Sequence, residues 1–69
     1  MSESLGTALP AKMKSIREVY IPAYQSIGPS GAFAIAMMNR ALTKAEKAMA
    51  EGDAVAMIDA YRELCEFKL

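Results

Sequence analysis

The residues with the best claim to chemistry lie in and around one glycine-bearing loop, Ile27-Gly28-Pro29-Ser30-Gly31-Ala32-Phe33. A loop of this kind that opens a helix presents unpaired backbone N–H groups at the positive end of the helix dipole, where phosphates bind readily. The small residues Gly28, Ser30 and Gly31 let an anion approach the backbone closely. Arg40, about two to three turns into the helix that follows, adds positive charge, and so does Arg17 from the helix that precedes. Tyr20, Tyr24 and Phe33 flank the loop and offer rings on which a base can stack. The expected ligand is a phosphate-bearing small molecule of the nucleotide kind. The loop matches no phosphate-binding consensus, because its glycines are few and no Gly-Lys-Ser/Thr follows them. A plain turn, with Ser30 as N-cap or with Pro29 in the first turn after Gly28, accounts for the same residues. Both readings stand at the level of sequence.

Elsewhere the side chains exclude more chemistry than they offer. The chain has no histidine and a single cysteine, Cys65. The commonest general base at neutral pH is therefore missing, and no Ser/His or Cys/His constellation can form. A structural zinc site wants about four Cys or His ligands, and an intrachain disulfide wants a second thiol. We expect no enzyme, no metal and no cofactor. Cys65 is expected on the buried face of an acidic last helix, where neighbouring carboxylates disfavour the thiolate. Asp53, Asp59, Glu63 and Glu66 read as a solvated helix face.

The methionines point to contact rather than catalysis. Methionine fills irregular cores and is favoured on adaptable binding surfaces. Met37 and Met38 project about 100° apart on a helix, so both cannot face the same core and one is left for another subunit or a partner. Ala41 and Ala45 are small enough to let a second helix close in. Met37, Met38, Ala41 and Ala45 are thus the expected interface, either with a second copy or with a foreign protein.

These residues must be positioned by helices, since no segment alternates with period two for long enough to form a strand. Residues 1–8 are small and polar and read as a loose tail before a single domain over residues 9–69. Pro10 suits the first turn of a helix whose face is Leu9, Met13, Ile16, Tyr20, Tyr24 and Ile27. Pro22 interrupts it, pushing Ile21 toward extended geometry and predicting either a kink or a stop near Tyr20. The Gly28–Gly31 break precedes a second helix over about residues 31–51, rich in the best helix former, alanine. Gly52 suits a left-handed stop and Asp53 the cap of a third helix over about residues 54–66, with Met57, Ile58, Tyr61, Leu64 and Cys65 buried. So short a connection predicts an antiparallel hairpin of the last two helices. The fold class is all-α: three helices in an oligomeric helical bundle.

Length and charge complete the expectation. At 69 residues and 54% hydrophobic, the chain carries more apolar surface than one small core hides, which predicts a homodimer or higher oligomer. Lys and Arg balance Asp and Glu at eight each, and a net charge of zero argues against a nucleic-acid surface. The balance conceals a split: residues 1–44 are net +3 and residues 45–69 net −3, so opposite halves can pair or the basic half can meet an anion. The longest near-apolar run, residues 31–38, is far short of the ~20 residues of a membrane span, and residues 1–6 do not resemble a signal peptide. A cytoplasmic protein is expected.

The run Ile27 to Phe33, together with Gly52-Asp53, Met57-Ile58, Ala60-Tyr61 and Leu64, resembles small helical proteins encoded by temperate phages and prophages, over about residues 16–66. That resemblance implies an accessory protein acting in the host cytoplasm. Such proteins inhibit a host protein by direct contact, or act as oligomeric sponges that sequester nucleotide signals of bacterial immunity. No motif of those families maps onto individual residues here.

Overall fold

The computed structural model describes residues 4–68, and these are helical almost throughout, with no strand among them. The first helix, α1 (Leu5–Ser15), starts earlier than the sequence reading placed it. Ser4 takes the N-cap in extended backbone, and its carbonyl accepts from the N–H groups of Thr7 and Ala8 at 3.0 and 2.8 Å. Residues 5–8 are therefore helix rather than tail, while residues 1–3 of the expected tail lie outside the described residues. Pro10 consequently sits inside α1 and not in its first turn.

Pro22 neither ends the helix nor forces its neighbour out of it. Ile21 keeps helical dihedrals, φ −61° and ψ −48°, against the extended geometry expected of a residue before proline. The chain adjusts one turn earlier. Residues Ile16–Tyr20 form a π turn, in which the Ile21 N–H reaches back five residues to the Ile16 carbonyl. The extra residue in that turn spaces the preceding carbonyls away from the proline ring. A short α2 (Ile21–Gln25) then follows, so residues 5–25 form one helical rod.

The rod ends at a turn built on glycine. The Ser26 hydroxyl donates to the Ala23 carbonyl at 2.6 Å, and Gly28 adopts φ +71°, a conformation L side chains resist. A single 3-10 turn (Gly28–Gly31), with Pro29 near its start, leads into α3 (Ala32–Glu51). Gly31, not Ser30, occupies the position before α3, and no side chain caps that end. A Cβ on Gly31 would fall 2.1 Å from the Tyr24 carbonyl oxygen, so the loop lies backbone-to-backbone against the rod. Ser30 is exposed and does not cap α3.

The stop and restart at Gly52-Asp53 form as the sequence predicts. Gly52 is left-handed at φ +65°, and its N–H and that of Asp53 donate to the carbonyls of Met49 and Ala48 at 3.2 and 3.1 Å. The Asp53 carboxylate accepts from the Ala56 N–H at 3.1 Å and caps α4 (Ala54–Glu66).

The rod, α3 and α4 share one core. Leu9, Met13 and Ile16 come from the rod, Met38, Ala41, Leu42 and Ala45 from α3, and Ala60 and Leu64 from α4. Ile58 and Cys65 were expected to be buried and are not: Ile58 is 49% exposed and Cys65 lies on the surface. The line of closest packing on α4 runs through the small Ala60 and through Leu64, which leaves Ile58 and Cys65 beyond its edge. No helix among the described residues is long and apolar enough to cross a membrane.

The two loop glycines have different reasons, and substitution separates them. Gly31→Ala is expected to cost about 2–4 kcal/mol, as other changes that force a backbone displacement do. Gly28→Ala meets no atom within 4 Å and is expected to cost only about 1–2 kcal/mol, the penalty of the left-handed backbone alone. Urea unfolding followed by circular dichroism measures both.

Candidate functional site

The expected ligand residues differ in exposure and in their partners. Gly28 and Ser30 are exposed, Gly31 is buried against Tyr24, and Phe33 stands 77% exposed. Arg17, Tyr20 and Tyr24 have partners within the chain. The Arg17 guanidinium pairs with Glu46 of α3 at 3.1 Å, both about half exposed. The Tyr20 ring lies under the Lys12 ammonium, 5.3 Å from Nζ to its centroid. The Tyr24 hydroxyl donates to the Lys68 carbonyl and ties the rod to the segment after α4. Backbone requirements at Gly28 and Gly31 account for the loop's glycines without a ligand.

The expected interface residues divide in the same way. Met38, Ala41 and Ala45 are buried against the rod and α4, with Met38 fully enclosed. Their small or flexible side chains serve the chain's own packing. Met37 is 40% exposed. The two adjacent methionines therefore do face apart, one inward and one outward.

A different feature lies between α3 and α4. A groove of about 940 Å³ is lined on the α3 side by Met37, Arg40, Thr43, Lys44 and Lys47, and on the α4 side by Glu63 and Glu66, with Phe67 beyond them. Of the expected ligand residues Arg40 alone lines it. Lys44 and Lys47 were missed by sequence reasoning, although their spacing from Arg40 puts all three on one face of the helix. Phe33 lies one turn before Met37 on that face, so Phe33, Met37, Arg40, Lys44 and Lys47 form an apolar-to-basic row along α3.

The groove carries its own electrostatics. Lys44 Nζ meets the Glu63 carboxylate at 2.5 Å across the two helices. The hydrogen bond to Glu63 raises the Lys44 ammonium above its ordinary 10.5, helped by the Glu63 charge and by Asp59, while slight desolvation and nearby Arg40 oppose it. Arg40 and Lys47 make no ion pair among the described residues. Among the described residues no polar or charged residue is buried, and no group of three or more His, Cys, Asp or Glu side chains is placed to hold a metal ion.

No protein-family model matches the chain, and neither curated proteins nor solved structures give a match.

The Lys44–Glu63 pair is testable by its titration. Because the folded chain raises the lysine, the pair's contribution is fully present below the ordinary lysine range and is lost as pH rises through the raised value. Nitrogen-detected NMR of the lysine side chains is expected to show Lys44 titrating above 10.5, and falling back toward it in Glu63→Gln.

Proposed function

We propose that the chain is a non-enzymatic binding module, assembled as a homo-oligomer, that acts by contact with a partner protein. In this reading α3 and α4 form an antiparallel hairpin that presents the Phe33–Met37 end and the basic row of Arg40, Lys44 and Lys47. The observation that carries it is Phe33, a large apolar ring left 77% exposed on the face that also holds Met37 and those cations. An exposed aromatic anchor beside a charged rim is the arrangement that protein interfaces concentrate their binding energy in. The partner it suits is a protein with an acidic surface beside an apolar pocket. The resemblance to phage-encoded proteins makes that a host protein, met in the host cytoplasm.

A second reading keeps a nucleotide-like small molecule as the ligand. It is favoured by Arg40 and Lys47, which face the groove without an ion pair among the described residues. Gly28, Ser30 and Phe33 lie at the start of the same helix.

Capture from host lysate, read by native mass spectrometry, separates the two. A stoichiometric protein partner whose capture falls about tenfold or more with Phe33→Asp supports the contact reading, the size expected of an anchor residue. Capture that ignores Phe33→Asp, with a retained small anion that Arg40→Ala releases, overturns it in favour of the second.

A further inference from the structure

The surface of α4 outside the shared core carries an exposed stripe that borders Lys44 of α3 at Arg62. Val55 is 70% exposed and Ile58 49%, and Arg62 and Cys65 are exposed beside them. Their spacing of three, four and three residues keeps all four on one side of the helix. Asp59 and Glu66 flank the stripe and are exposed as well. Arg62 makes no ion pair within the chain among the described residues.

We propose that this face of α4 is a two-fold interface with a second copy of the chain, the two α4 helices running antiparallel about Ala60. The proposal rests on the self-association put forward above and names where it occurs. The order of groups along the stripe fits a two-fold pairing. Antiparallel pairing about Ala60 sets Val55 opposite the partner subunit's Cys65, and Ile58 opposite the aliphatic stem of the partner subunit's Arg62. The same operation brings each Arg62 guanidinium to the Asp59 carboxylate of the other copy, once in each direction, as an isologous interface requires. Parallel pairing would instead stack Arg62 on Arg62 and Asp59 on Asp59, and like charges disfavour it. A foreign partner has no need of an acid and a base placed to satisfy each other across a dyad.

The core supplies a second reason. Alanine provides Ala41, Ala45, Ala48 and Ala60 among its buried residues, so each contributes less buried apolar area than a leucine would. A chain this small with so thin an interior gains from covering Val55 and Ile58.

A single substitution tests the register. The Val55→Cys chain, oxidised gently, is expected to give a covalent dimer whose peptide map joins positions 55 and 65. Disulfide formation needs Cβ atoms about 4 Å apart, which only that opposition provides. Wild type and the Val55→Cys, Cys65→Ser chain are expected to stay unlinked, since identical positions would stand about 15 Å apart along the helix axis. A 55–55 or 65–65 bridge, or no bridge, overturns the proposal. Sedimentation of the wild type tells the two failures apart. An oligomer without the 55–65 bridge refutes the α4 interface alone, and a monomer refutes self-association with it.

Discussion

The constraint on which the structure depends is how closely its helices approach. Ala41, Ala45 and Ala48 on α3, and Ala60 on α4, put methyl groups where larger side chains would hold the helices apart. Close backbone approach then lets a few large side chains, Leu9, Ile16, Met38 and Leu64, fill what remains. The cost falls on the apolar residues that this geometry cannot use. Once α4 is seated on Ala60 and Leu64, Ile58 and Val55 have nowhere inside to go, and once Met38 is inward, Met37 and Phe33 are outward. The exposed apolar surface is thus a consequence of the same alanines that make the core compact.

Charge in this chain works between helices. The excess of basic residues before position 45 and of acidic ones after it looked like a dipole available to a ligand. Arg17–Glu46 and Lys44–Glu63 each join a cation from the first part to a carboxylate from the second, across different elements. Exposed pairs of this kind add little stability. Their effect is on orientation: one links the rod to α3 and the other links α3 to α4. Arg40 and Lys47 are left over, without an ion pair among the described residues.

Legibility in the sequence followed how local each determinant is. Gly52-Asp53 encodes its stop and cap within a few residues, and both form as read. The extent of α3 and α4 was equally plain, since alanine-rich helix between two glycine breaks needs no tertiary information. Pro22 was not legible in outcome. Its conflict with the helix is local, but the relief is a π turn placed upstream, and continuing the rod to meet α3 favours that relief over a break. The buried side of α4 was misjudged at Ile58 and Cys65 because a stripe of apolar residues wider than its partner surface does not say which edge will be left out. The groove was missed because its basic wall and acidic wall lie on different helices, and their meeting is a property of packing.

The glycine loop shows why one residue type carries two meanings. Glycine is required wherever a backbone must come close to something, and a sequence does not say whether that something is a phosphate or another stretch of chain. Gly31 answers for the chain: the carbonyl of Tyr24 already stands where its side chain would be. Gly28 answers for a left-handed turn that reverses the rod into α3. With both glycines assigned, Arg17 and Arg40 are the cations that the sequence placed beside this loop. Of those, Arg17 is engaged by Glu46, which leaves Arg40 in the groove. On the exposed side of α3, the aromatic ring of Phe33 shares one face with Arg40 and Lys47, which make no ion pair among the described residues.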